Sequence, residues 1–130
     1  MPHRTRVLIV DDSPRARASL RARLAIDGED MDIQEAENGL EALECIAKAA
    51  PDVVFMDVMM DALGGIEATK RIKADAPRVK VIALSFSPDY ASAALAAGAD
   101  AFVCKGDPPA VLLRAFARIA GLQEESGEPQ

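Results

Sequence analysis

Four short apolar runs, each closing on a polar residue, constrain the fold of this 130-residue chain more than any other feature. They are Arg6 to Val10 before Asp11-Asp12, Asp52-Val53-Val54-Phe55-Met56 before Asp57, Val79-Lys80-Val81-Ile82-Ala83-Leu84 before Ser85, and Ala101-Phe102-Val103-Cys104 before Lys105. Runs without polar alternation read as strands buried on both faces, which calls for helices on both sides of a parallel sheet. A fifth strand, less sharply patterned, is predicted over Ile33 to Glu37. Helix signals fill the gaps. Ser13 suits an N-cap with Pro14 at the first helical position, Leu20 and Leu24 follow Ala16 on one face, and Asp27-Gly28 ends the element. Asn38-Gly39 opens a helix to about Ala49 with Leu43 and Ile46-Ala47 on its apolar side, and Pro51 closes that region. Further helices are predicted over Ile66 to Lys73 and, after Ser87-Pro88, over Asp89 to Ala97 with Gly98 as the stop. The last opens at Pro108-Pro109, carries Val111-Leu112, Ala115-Phe116 and Ile119 as its stripe, and ends at Gly121. The alternation predicts an α/β domain: a doubly wound, five-stranded parallel sheet with helices on both faces.

Composition removes several alternatives. A chain of this length holds one domain, and its 50% apolar and 28% charged residues are those of an ordinary globular protein. Net charge −6 argues against a surface devoted to nucleic acid or anionic lipid, so no direct nucleic-acid binding is expected. The apolar run behind Met1 to Arg6 is too short for a signal peptide, and nothing approaches the roughly 18 to 20 apolar residues of a membrane helix. No membrane insertion is expected. Cys45 and Cys104 lack metal-ligand spacing and read as reduced thiols of a cytoplasmic protein. His3 lies in the leading tail and supports no histidine-based metal site. Arg15, Arg17, Arg21 and Arg23 read as a solvated helix surface.

In a parallel sheet the strand ends share one edge, so Asp11, Asp12, Asp57, Ser85 and Lys105 converge there. Three carboxylates that close are costly to keep ionised without a cation. Oxygen donors with room for water suit Mg²⁺, while nothing resembles a twelve-residue calcium loop. Lysine supplies a compact positive charge for phosphoryl oxygens, serine a hydroxyl donor, and an aspartate can attack phosphorus to form an acyl phosphate. Asp57, alone at its strand end, is the expected nucleophile, and Asp11-Asp12 the cation clamp. Each residue taken singly could equally be a helix cap or a solvated charge; the set is harder to explain that way.

The ordered set resembles the response-regulator receiver domain of two-component systems, in size like the single-domain chemotaxis regulators. The likeness runs from about Arg4 to Gly121 and rests on Val7 to Asp12, Asn38 to Leu43, Pro51 to Asp57, Gly65 to Ala68, Gly98 to Phe102 and Lys105. It implies a flavodoxin-like strand order 2-1-3-4-5. It implies Asp57 as phosphoacceptor from a histidine kinase or phosphotransfer protein, and Asp12 as a direct Mg²⁺ ligand with Asp11 as its partner. The Met59 carbonyl becomes the backbone ligand, Ser85 and Lys105 the groups that contact the phosphoryl, and Phe102 the aromatic switch. Such a protein catalyses only its own phosphorylation and dephosphorylation, and changes a protein-interaction face made by its fourth helix, fifth strand and fifth helix. A downstream protein target, a missing output domain and a phosphorylation-dependent homodimer are the implied partners.

Some positions depart from the family pattern. Met60-Asp61 replaces Met-Pro, leaving the acceptor loop less constrained, and Asp61 adds a negative charge. Gly64 stands where an aspartate is common. Gly106-Asp107-Pro108 after the lysine, with Leu112-Leu113-Arg114-Ala115, leans toward receivers joined to helix-turn-helix output domains. Met59 and Ser87 match positions that influence dephosphorylation. Other readings are a receiver-like docking module that is not phosphorylated, a Mg²⁺-dependent small-molecule phosphatase, which usually needs an acid at position 59 and a cap domain, and a flavin binder, which Asp11-Asp12 would repel. Residues 1–121 are the expected domain and residues 122–130 a flexible tail or truncated linker.

Overall fold

The computed structural model describes residues 4–25, 30–60 and 62–121. Five strands alternate with five helices: β1 (Thr5–Val10), α1 (Pro14–Ala25), β2 (Met31–Ala36), α2 (Gly39–Lys48), β3 (Val53–Asp57), α3 (Gly65–Asp75), β4 (Lys80–Ser85), α4 (Ala91–Ala96), β5 (Ala101–Cys104) and α5 (Pro109–Ile119). The strands form one sheet in the order β2-β1-β3-β4-β5, with every adjacent pair parallel. The expected α/β architecture and strand order are therefore present.

Alternation along each strand divides the core between the two faces. Leu8, Val10, Val54, Met56, Val81 and Ala83 meet α2, α3 and α4 through Ala42, Ile46, Ala68, Ile72 and Ala94. Val7, Ile9, Val53, Phe55, Ile82 and Val103 face the other way, onto Leu20 and Leu24 of α1 and Leu112, Ala115 and Phe116 of α5. Phe55 and Phe116 pack with ring centroids 5.6 Å apart. Burying each large side chain contributes about 1.5–3 kcal/mol, so the double-sided strands dominate the driving force. Register then decides function. Val10 pairs with Met56, and Asp57 pairs with Leu84, which brings the polar ends of β1, β3 and β4 to one level.

Local signals explain most boundaries. The Ser13 hydroxyl accepts from the Ala16 amide at 3.1 Å and starts α1. Asn38 caps α2 by accepting from the Glu41 amide, while Glu41 reaches back to accept from the Glu37 amide at 2.6 Å. This is a variant of the reciprocal capping arrangement. Gly98, with φ +110°, ends the α4 region as expected.

Three details differ from expectation. The helix anticipated over Asp89 to Ala97 is a 3₁₀ turn at Pro88–Tyr90 followed by the six-residue α4. The Ser87 hydroxyl accepts from the Asp89 amide at 3.2 Å, which ties the chain into the tighter turn first. The apolar face of α2 is Ala42 and Ile46 with Leu43 packed partly buried against the same core, as expected; Ala47 is exposed, one residue off the buried stripe. Arg17 is no free surface cation: with Arg21 it clasps Glu35 of β2 at 2.8 and 3.0 Å, while Arg15 and Arg21 are exposed as expected. Expectations that concern His3, Asp27-Gly28, Asp61 and residues 122–130 lie outside the described residues. Among the described residues no helix is long and apolar enough to cross a membrane.

Candidate functional site

Each strand of the central trio and β5 delivers one part of the site. Asp11 and Asp12 follow β1, Asp57 and Ser85 are the last residues of β3 and β4, and Lys105 follows β5. Asp11, Asp57 and Ser85 are buried while Asp12 is exposed. Carboxylate oxygens of Asp11, Asp12 and Asp57 lie within 4.8 Å of one another. Three anionic oxygen donors, two of them desolvated and the third open to water, fit a hard divalent cation such as Mg²⁺, which retains part of its hydration shell.

Lys105 binds this cluster from the β5 side. Its ammonium donates to Asp11 Oδ2 at 2.8 Å and lies 3.1 Å from Asp57 Oδ1. Burial opposes the charge on Lys105, yet its bonds to Asp11 and Asp57 hold its pKa above the usual lysine value. Asp57 responds differently. Burial pushes its carboxyl above the usual aspartate range; Lys105 opposes that shift, and the neighbouring Asp11 charge adds to it. The Met59 amide also donates to the Asp57 carboxylate.

Asp11 is fixed on every side. Its other carboxylate oxygen accepts from the Ser13 amide at 2.9 Å, and its carbonyl accepts from Arg17 Nη1 at 2.6 Å. Ser85 Oγ accepts from the Ser87 amide at 3.1 Å, which ties the hydroxyl to the loop after β4. The Lys105 amide donates to the Ser85 carbonyl at 2.8 Å, so the backbones bearing hydroxyl and ammonium are joined directly.

The loop after Asp57 is held by close backbone contact. Val58 donates its amide to the Leu84 carbonyl at 2.9 Å and receives the Gly65 amide on its own carbonyl at 3.0 Å. A Cβ on Gly65 would stand 2.1 Å from the Asp57 carbonyl oxygen, and one on Gly39 would stand 2.5 Å from the Leu63 carbonyl. Both glycines are required by space. Between them Ala62 and Leu63 adopt left-handed backbone, with φ 48° and 65°. The chain after Asp57 is thus held through Val58 and Gly65 and twisted at Ala62 and Leu63. Met59 is exposed, and Met60 packs partly buried against the α2–α3 core. Phe102 packs against that same core.

All five expected polar residues therefore gather at one sheet edge, although among the described residues no hydrogen bond joins the Ser85 hydroxyl to the carboxylates. Two participants carry no signal in the spacing. Arg17 reaches the Asp11 backbone from α1, and Phe86 presents its ring to Lys105 from the loop after β4. An isolated aromatic between Ser85 and Ser87, in a polar turn, is the one hint the sequence contains of the second.

Residues 7–117 match the family described as response regulator receiver domain. A relative from Hahella chejuensis, named protein-glutamate methylesterase/protein-glutamine glutaminase 3, is 46% identical over 82 residues, covering 62% of this chain and 23% of that protein. Response regulator GacA of Pseudomonas viridiflava is 36% identical over 114 residues, covering 85% of this chain and 53% of that protein. The chain thus spans about half or less of these relatives' length. Among solved structures, a LuxR-family two-component response regulator from Aurantimonas superposes with TM-score 0.83 at 30% identity, covering 92% of this chain and 86% of that one. With the family match running through all five strands and across the acidic cluster, the chain belongs to the response-regulator receiver domains.

Proposed function

We propose that this chain receives a phosphoryl group on Asp57 from a histidine kinase or phosphotransfer protein and converts its presence into a change of protein contacts. The observation that supports this most is the placement of Asp57 in the acidic cluster, within 3.1 Å of the Lys105 ammonium. An Asp57 carboxylate oxygen attacks phosphorus, the donor's P–N bond breaks, and the imidazole leaves with the electron pair. Asp11, Asp12, Asp57 and the Met59 carbonyl would hold the Mg²⁺, which neutralises charge on the transferred group when bound. Lys105 supplies a second positive charge to the phosphoryl oxygens, and the Ser85 hydroxyl donates to one of them once it leaves the Ser87 amide. Its chemistry is limited to forming and losing its own acyl phosphate.

The output surface in this proposal is α4, β5 and α5, with Phe102 changing its packing. Leu95, exposed on α4, and the small residues around it leave that helix lightly held, with Ala94 its one buried residue. The receiver unit is taken as residues 1–121, supported by a family match that ends at residue 117. Downstream effects pass to a protein target or to an output domain in the natural polypeptide, with dimerisation as one route. A cytoplasmic setting is supported by Cys45 and Cys104, both free and partly buried, with burial pushing the Cys45 thiol's pKa up.

Adding beryllofluoride with Mg²⁺ to ¹⁵N-labelled protein tests the proposal. Amide resonances of Ser85, Lys105 and α4 residues are expected to shift in wild type and to stay fixed in Asp57→Asn. Unchanged wild-type spectra would overturn the switch and leave a docking module.

A further inference from the structure

The Phe86 ring lies beside the Lys105 ammonium, with 5.4 Å from Nζ to the ring centroid. Packing does not explain that position. Phe86 is 77% exposed, although a phenylalanine side chain gains about 1.5–3 kcal/mol on full burial. A cavity of about 160 Å³, lined by Leu20, Leu84, Val103 and Leu112, opens beside it, and Phe86 stands at its border rather than filling it.

Among the described residues the ammonium has three partners of two kinds. Asp11 and Asp57 neutralise its charge, at 2.8 and 3.1 Å. The ring attracts it through its quadrupole and leaves the full positive charge in place. That difference matters in phosphoryl transfer, where a divalent cation held by Asp11 and Asp57 would share those carboxylates with Lys105. A neutral aromatic partner keeps the ammonium at the mouth of the site while its charge remains available to an incoming anion.

We propose that Phe86 is a positioning residue for phosphoryl transfer, its ring holding the Lys105 ammonium over Asp57 to meet the phosphoryl oxygens of the donor. This rests on Asp57 being the phosphoacceptor. With acetyl phosphate, an Asp57 oxygen attacks phosphorus, the P–O bond to the acyl group breaks, and acetate leaves; the ring takes no part in these bonds. Because Phe86 is exposed, its replacement leaves the core intact.

The test compares wild type, Phe86→Tyr and Phe86→Leu in acetyl phosphate and saturating Mg²⁺, following labelling by intact mass over a range of donor concentrations. Leucine retains apolar bulk without the quadrupole. The half-saturating donor concentration is expected to rise about two- to fivefold in Phe86→Leu, the range of an exposed cation–π contact, with the limiting rate much less affected. Phe86→Tyr should restore the wild-type value. In parallel, the Lys105 Cε protons should be shifted upfield by the ring in wild type and Phe86→Tyr, and not in Phe86→Leu. Equal behaviour of all three proteins, faster labelling of Phe86→Leu, or no ring shift in wild type would overturn the proposal. Wild type that takes no label at all would instead overturn the phosphoacceptor reading, and this inference with it.

Discussion

The Lys105 ammonium stands closer to Asp11, at 2.8 Å, than to Asp57, at 3.1 Å. A divalent cation would bind the same two carboxylates, so the lysine acts as an internal competitor for the metal site. Removing its charge should tighten Mg²⁺ binding. For Lys105→Gln we expect about a three- to tenfold lower Kd in a Mg²⁺ titration, about 1 kcal/mol, the scale of one partly screened charge pair. The same variant should label poorly with a small phosphodonor. Unchanged or weaker Mg²⁺ binding would show that the ammonium does not contest the site.

Gly65 cannot carry a side chain where it stands. A Cβ would approach the Asp57 carbonyl oxygen to 2.1 Å, so Gly65→Ala must displace either α3 or the acceptor strand. A loss of about 3 kcal/mol or more is expected, as for severe overpacking, with the acceptor loop shifted in any folded fraction. Chemical denaturation measures it, and a variant within 1 kcal/mol of wild type (roughly the scale of a tolerated core swap) would contradict the packing.

Ala62 is exposed and left-handed, with φ 48°. That conformation costs a residue with a Cβ about 1–2 kcal/mol, while glycine loses about 0.5–1 kcal/mol in chain entropy. Ala62→Gly should therefore stabilise the protein by about 0.5–1 kcal/mol and raise its melting temperature. A lower melting temperature would contradict the loop conformation.

Asp57 gives the stability a particular pH dependence. Burial first, and then Asp11, raise its folded pKa above the unfolded value despite Lys105. The folded state thus binds the proton more tightly. The contribution is favourable below the ordinary aspartate range and is lost as pH rises through the raised folded pKa. At neutral pH the ionised carboxylate is a net cost, so Asp57→Asn should melt higher than wild type without Mg²⁺. The difference should shrink as the medium is acidified toward the aspartate range. A variant less stable at neutral pH, or one whose advantage grows on acidification, would contradict the assignment.

Legibility in the sequence followed burial. β1, β3, β4 and β5 are nearly all apolar because both faces are covered, so their ends and the polar residues there could be read directly. β2 is an edge strand with Asp32, Gln34 and Glu35 exposed, and only a rough location was legible for it. In α1, only Leu20 and Leu24 are buried, and a pattern that thin cannot reveal that Arg17 turns inward to Glu35 and the Asp11 carbonyl. The convergence of the three aspartates follows from parallel topology alone. The partner choices of Lys105 do not, because they depend on loop paths that place Asp11, Asp57 and the Phe86 ring around one ammonium. For the same reason, the close contacts of Gly39 and Gly65 carry no signal in the spacing: they are set by tertiary packing.

The most direct test of Asp57 as the acceptor is intact-mass analysis after incubation with acetyl phosphate and Mg²⁺, comparing wild type with Asp57→Asn. Wild type should gain the mass of one phosphoryl group, lose it on raising the pH, and require Mg²⁺ for its formation, while Asp57→Asn stays unmodified. Equal modification of the two proteins, or none in wild type, would contradict the account.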